Sequence, residues 1–285
     1  MIRPLRELGR RAKRALPRLP LPYKNRLLLA GWRAYESLQA RGSRGASLDE
    51  LPRGSERWPI PPARLRVLVS GDADLHFFLR SGREQTEFIN QLLLGQGIRL
   101  ERLERMLDFG CGCGRLARWW SELEGPELHG CDYNPELVEW CRVNLPFMRT
   151  RLSGLEPPLP YPRDGFDLIC ALSVFTHLPE PMQRAWANEL RARLRLGGLL
   201  FLTVSGTAYL DRLSAPERRA FSAGRLVTHF GELAGTNLCA AYHPRSYVER
   251  ELLRGFELVD AIEPGRDPSR SISSLAHDAY LARRV

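Results

Sequence analysis

The sequence predicts an α/β fold: an open, doubly wound, mainly parallel sheet with helices on both faces and an antiparallel closing strand. Three observations carry this expectation. From about residue 63, short apolar runs alternate with stretches of helical periodicity. A glycine-rich turn joins the first of those runs to the segment after it. Two late runs, at 256–262 and 275–283, have the length and pattern of closing strands.

The elements follow in order. Residues 1–20 form a basic arm in which Leu5, Leu8, Ala12 and Leu16 recur at helical spacing among Arg6, Arg10, Arg11, Lys13 and Arg14. That pattern suits an amphipathic helix lying on anionic lipid or an acidic partner. A second helix is expected at 25–40. Residues 41–62, rich in Gly, Ser, Pro and charge, are expected as a linker. The arm and linker, 1–62, thus precede a single domain at 63–285. Within it, 84–96 is helical, with Phe88, Ile89, Leu92 and Leu93 on one face. Strands are expected at 105–109, 127–131, 166–172 and 199–205. Helices are expected near 114–123, 135–144, 180–193 and 246–253.

Composition narrows the classes. Hydrophobic residues make up 44% and charged residues 26% of the 285, which excludes wholesale disorder, collagen and coiled coil. No run reaches the ~18–20 apolar residues of a membrane span, and the charged N-terminus lacks a secretory signal's apolar core. The expected compartment is the cytoplasm, with the arm at most peripheral to the inner face of a membrane. The net charge of +9 resides in residues 1–60, with 14 basic and five acidic side chains; residues 61–285 balance at 28 of each. The body therefore has no field suited to a polynucleotide, which argues against a nucleic-acid partner. The six cysteines contain no Cys-x-x-Cys pair. A metal site is not expected, and free buried thiols are.

The sharpest signal is Asp108-Phe109-Gly110-Cys111-Gly112-Cys113-Gly114-Arg115. Glycines at such a turn let a ligand approach the backbone with no Cβ in the way. A dinucleotide fingerprint needs G-x-G-x-x-G; here Arg115 stands where its third glycine belongs, which disfavours NAD and FAD. After the next strand comes Asp132-Tyr133-Asn134-Pro135, which puts a carboxylate where ribose hydroxyls are bound. Pro135 suits a helix start.

At this point the chain resembles the class I S-adenosylmethionine-dependent methyltransferases, in their small-molecule branch. Asp108–Gly114 and Asp132 resemble their first two motifs. Gly154-Leu155-Glu156-Pro157 is similar to their adenine segment, and Phe166-Asp167-Leu168-Ile169 to their fourth strand. Leu196-Gly197-Gly198-Leu199 is similar to the turn into their fifth strand. The resemblance implies a Rossmann-like, seven-stranded sheet and S-adenosyl-L-methionine as cofactor. It implies cofactor-binding roles for Asp108, Gly110, Cys111, Gly112, Gly114, Asp132, Tyr133, Leu155 and Ser173. Asp108 would orient the loop or the methionine ammonium, and Asp132 would hold the ribose. Tyr133 and Leu155 would flank the adenine, whose amino group is left to backbone or Ser153.

The acceptor is expected to be a small molecule or glycan, methylated on oxygen. His177, after the fourth strand, and His243 are the candidate bases, since an unperturbed histidine titrates near ~6.5. Residues 206–245 read as a lid insertion bearing Tyr209, Arg225, His229, Asn237 and His243, and 71–78 as a second cover. The motif of base amino-nitrogen methylation and the Pro-Cys of cytosine methylation are absent. A Lys-based ribose-methylation set is impossible where the last lysine is Lys24. The alternatives are an RNA or protein methyltransferase guided by the arm, and a cofactor-binding domain without turnover. For the arm, the expected outcome is co-sedimentation with anionic phosphatidylserine vesicles at low salt, lost on deleting residues 1–20.

Overall fold

The computed structural model describes residues 29–32, 34, 37, 38, 57–270, 274 and 276–285. The arm at 1–20 lies outside them. Within 25–40, every described residue is helical.

Two helices precede the sheet. Helix α1 is Ala63–Ser70 and α2 is Leu75–Leu94. The latter starts nine residues before the expected 84, capped by the Asp74 carboxylate, which accepts from the Phe77 amide at 3.1 Å. The strands are β1 (Arg105–Phe109), β2 (Glu127–Asp132), β3 (Arg149–Leu152), β4 (Phe166–Ala171) and β5 (Leu194–Val204). Between them lie α3 (Pro135–Asn144) and α4 (Glu180–Arg193), both as expected. Asn134 caps α3 through the Glu136 amide, and Pro135 fills the first helical position.

After β5 the chain makes α5 (Ala215–Ser222) and a hairpin of β6 (Val227–His229) and β7 (Ala240–Tyr242). A short helix, α6 (Arg245–Tyr247), continues with π pitch over Val248–Leu252. Strands β8 (Phe256–Ile262) and β9 (Asp278–Arg284) close the sheet. The seven strands run in the order β3-β2-β1-β4-β5-β9-β8. The five from β3 to β5 pair in parallel, and β9 is antiparallel to both its neighbours. This is the expected Rossmann-like, doubly wound sheet.

Strand period two explains why it is covered on both faces. Leu107, Ile169, Leu200 and Tyr280 point into one core with Trp186 and Leu190 of α4. Met106, Leu168, Phe201 and Leu281 point into the other, with Ile89 and Leu93 of α2 and Cys141 of α3. All six cysteines are free and buried, as expected.

Four expectations are corrected. The helix near 114–123 is only a 3₁₀ turn, Ala117–Trp119. The Trp119 amide bonds Leu116 O at 2.9 Å, not Arg115 O. The Arg115 carbonyl instead lies against Gly82 of α2, where a Cβ would come within 2.3 Å of it. Strand β3 was not expected because only Thr150 of its four residues is buried, so the edge shows no apolar run. The first half of α2 was not expected either. Finally, 1–62 is not wholly an appendage. Trp58 packs on Phe147 with ring centroids 4.6 Å apart, and Arg118 Nη2 donates to Trp58 O at 2.8 Å. Arg66 Nη1 donates to Pro61 O at 2.6 Å, and Trp32 is buried.

Gly114 fixes how α3 seats on the glycine turn. Its φ is +77°, and a Cβ there would lie 2.1 Å from Leu145 Cδ1. Gly114→Ala is expected to cost about 2 kcal/mol, seen as a lower Tm in thermal denaturation of the ligand-free protein.

Candidate active site

A cavity of about 600 Å³ opens at the carboxyl ends of β1, β2 and β4, where ligands enter open α/β sheets. Its floor is the bend after β1. Gly110 and Gly112 have φ of +74° and +56°, and a Cβ on either would strike Val174 Cγ2 at 2.6 Å or Val69 Cγ2 at 2.5 Å. Both positions therefore demand glycine, for conformation and for space. The amides of Gly110 and Cys111 bond Cys131 O of β2 at 2.8 and 3.0 Å.

Asp132 ends β2 and faces that bend. Its Oδ2 accepts from the Gly112 amide at 3.0 Å and its Oδ1 from the Asn134 amide at 2.9 Å. Burial pushes its carboxyl pKa up, and these amides pull it back down. Each oxygen keeps a lone pair, so the carboxylate can still accept two hydroxyls.

Asp108 is 2% exposed, and its Oδ2 has no hydrogen-bond partner. Burial raises its pKa to about 7, with Arg115 opposing and Asp132 adding to the rise. Arg115 also lines the cavity. Its Nη1 donates to Gln85 Oε1 at 2.6 Å and Ser81 Oγ at 3.2 Å, while its buried Nε has no partner. A carboxylate oxygen and a guanidinium nitrogen, both unsatisfied and on residues that line one cavity, form a pair with the charges to receive a zwitterion.

The opposite end is closed by a clasp. Tyr133 Oη donates to Gly235 O at 2.8 Å, and the Gly235 amide donates to His177 O at 2.8 Å. Leu155 and Tyr133 pack against Gly235, where a Cβ would come within 2.6 Å of Leu155 Cδ1. Asn237 Nδ2 donates to Leu68 O at 3.0 Å, tying the clasp to α1. His177 Nδ1 lies 2.8 Å from Cys239 O and donates to it; burial lowers the histidine's pKa.

The cavity thus gathers Asp108, Gly110, Cys111, Gly112, Asp132, Tyr133, Ser153, Leu155, Ser173 and His177. Two expected site residues lie elsewhere. Gly114 does not line it and serves the packing of α3. His243 is fully buried away from it, with Nε2 3.0 Å from Gln183 Oε1. Burial, with His277 adding, lowers the pKa of His243 to about 3, so a role as base is corrected to a structural one. The insertion at 206–245 mostly covers itself: Leu213, Phe221, Val227 and Tyr242 form a small core of their own. Of its five sequence-named residues only Asn237 reaches the cavity. The second cover is α1, through Leu68 and Val69, not 71–78. Leu29, Trp32 and Ser37 also line the cavity; no motif marked them, because they join it only through the fold. Arg115 was legible only as a departure from the dinucleotide spacing. Among the described residues no cluster of His, Cys, Asp or Glu could hold a metal.

Comparison with known proteins places this geometry. Residues 106–198 match a protein family described as "Methyltransferase domain". The chain carries a class I S-adenosylmethionine-dependent methyltransferase domain. The cofactor of such domains is S-adenosyl-L-methionine. The chain is 38% identical over 100 residues to a ribosomal protein L11 methyltransferase from Ralstonia nicotianae, covering 35% of this chain and 32% of that one. It is 32% identical over 106 residues to methyltransferase GfsG from Streptomyces halstedii, covering 34% and 36%. The match thus spans about a third of each relative's length. In fold, the methyltransferase domain resembles a crystal structure from Listeria monocytogenes classed as an S-adenosylmethionine-dependent methyltransferase. Their TM-score is 0.52 at 13% identity, covering 72% of this chain and 99% of that one.

To pair with a ligand's ammonium group, Asp108 would have to be ionised. Ligand-free, its raised pKa favours the protonated fold, so that contribution to stability is complete below the usual carboxylate range and lost as pH rises through about 7. Binding runs the other way. S-adenosylhomocysteine affinity is expected to hold above about pH 8 and to weaken by up to about tenfold per unit below 7. Asp108→Asn should bind weakly with a flat profile, as calorimetry across that range would check.

Proposed function

We propose that the protein transfers a methyl group from S-adenosylmethionine to an oxygen of an uncharged small molecule or glycan. The observation that carries the cofactor half is the Asp132 carboxylate bonded to the Gly112 amide, which sets a ribose-binding group on the turn that passes beneath the nucleoside. Asp108 and Arg115 would take the amino and carboxyl groups of the methionine portion. Tyr133 and Leu155 would enclose the adenine, with the Ser153 backbone, held by its amide to Asp132 O at 3.0 Å, at the ring's polar edge. When bound, the cofactor supplies an electrophilic methyl on sulfur. The chain's own work is to fix the acceptor in line and exclude water.

The acceptor half is supported by charge. Of the lining residues left once the cofactor is accommodated, Arg64 is ion-paired with Glu136, and His177 is neutral at physiological pH because burial lowers its pKa. The rest, including Trp32, Val69, Val174, Leu178 and Asn237, are uncharged. A phosphate or carboxylate on the acceptor would find no free cation there among the described residues. His177 is the candidate base. With the Nδ1 proton given to Cys239 O, its lone pair sits on Nε2.

Two measurements check this reading. Asp132→Ala should weaken S-adenosylhomocysteine binding at least tenfold by calorimetry, as expected for losing a charge-assisted pair of bonds of about 1.5–3 kcal/mol. Equal affinity in both proteins would remove the assignment. Radiolabelled methyl from S-adenosylmethionine should appear in the neutral small-molecule fraction of a cell extract; label confined to RNA or protein would favour the other acceptor classes.

A further inference from the structure

At the carboxyl end of β4 the chain holds one hydroxyl with unusual care. Ser173 lines the cavity with a φ of +59°, a conformation that a non-glycine residue keeps only when its surroundings impose it. Its amide donates to the buried Thr203 Oγ1 of β5 at 2.8 Å, and its carbonyl accepts from Thr176 Oγ1 at 2.6 Å. Its Oγ lies 3.0 Å from His277 Nδ1, just before β9. The His277 ring packs on Tyr209, with centroids 5.3 Å apart, and Arg212 lies over the Tyr209 ring at 4.3 Å. The neighbouring Val174 side chain presses on Gly110. Ser173 is therefore one residue from a side chain that lies against Gly110, on the bend assigned above to the cofactor.

We propose that Ser173 is a substrate-contacting residue that orients the methyl acceptor, and that His277 is its positioning residue. With the Ser173 hydroxyl proton given to His277 Nδ1, the oxygen's lone pairs are offered to the cavity. They accept a hydrogen bond from the acceptor's own O–H or N–H, which turns the acceptor's lone pair toward the methyl. This assignment rests on the cofactor reading above, and it moves Ser173 from cofactor contact to acceptor contact. Burial, with His177, Arg212 and Arg115 nearby, lowers the pKa of His277 to about 3. An imidazole this weakly basic can take the hydroxyl proton into a hydrogen bond but does not carry it off as the net base. Its role is orientation.

The test needs no knowledge of the acceptor. Sinefungin carries a C–NH₃⁺ group where the cofactor carries its sulfonium methyl, so it places a hydrogen-bond donor at the transfer position. S-adenosylhomocysteine has none there. By calorimetry, Ser173→Ala should weaken sinefungin about tenfold, the worth of one bond to a charged group, and leave S-adenosylhomocysteine within about twofold. His277→Ala should move the same ratio in the same direction, and Ser173→Thr, which keeps the hydroxyl, should restore it. In ¹⁵N-histidine spectra the His277 Nδ1 resonance of the wild-type protein should shift on adding sinefungin and not on adding S-adenosylhomocysteine. An equal loss for both ligands, or no loss for either, overturns the proposal. So does a His277 resonance that responds to both alike, a readout that stands even if the substituted proteins do not fold. Wild-type protein that binds neither ligand would instead sink the cofactor reading, and this proposal with it.

Discussion

One hydrogen bond organises the ligand-binding end of the molecule: the Gly112 amide to the Asp132 carboxylate, at 3.0 Å. It joins the turn after β1 to the end of β2, two parallel neighbours in the sheet. The turn can take that shape only because glycine stands at 110, 112 and 114, all at positive φ. The three perform different tasks. The first two leave room at the cavity, and the third lets Leu145 seat against the turn from below. A carboxylate this buried is tolerated because backbone amides solvate it in place of water.

Around that fixed point the cover is assembled from distant parts of the chain. Tyr133, Gly235 and His177 are linked by two successive 2.8 Å hydrogen bonds, and Asn237 reaches to α1. The clasp therefore connects the ends of β2 and β4 to the insertion after β5 and to the helix before the sheet. Because these contacts are polar and shared with backbone, they hold position without filling the cavity with side chains. Apart from Asp132, His177 and Arg64, the last ion-paired with Glu136, the space left is lined by uncharged groups and by the opposed charges of Asp108 and Arg115.

The sheet was legible because local signals and tertiary demands agree there. β1, β4 and β5 are apolar on both faces, and α3 announces itself through Asn134 and Pro135. Glycine spacing and the carboxylate after β2 marked the cavity floor for the same reason: each answers a requirement of the backbone at its own position. What failed depended on contacts distant in sequence. At the short turn Ala117–Trp119 the Arg115 carbonyl approaches Gly82 of α2 too closely for a side chain there, a contact across 33 residues that local spacing does not show. Strand β3 pairs at an edge where no apolar run is needed. His243 and His177 could not be told apart by sequence, since only the fold turns one inward to Gln183 and the other to the cavity. Ser173 was visible, but its partner His277 lies 104 residues away.

The six thiols carry a separate consequence. Every cysteine is buried and unbridged; burial pushes up the pKa of Cys113, Cys131, Cys170 and Cys239, and a hydrogen bond with Cys141, with burial adding, pushes up that of Cys111. Thiolate is the reactive form, so the closed fold shields these side chains from alkylating reagents. Four of them, Cys111, Cys113, Cys131 and Cys141, sit at or beneath the glycine turn, and Cys239 sits in the clasp. The rate at which each is alkylated is thus a native clock of local opening, able to time the breathing of the floor and of the cover separately without any attached dye.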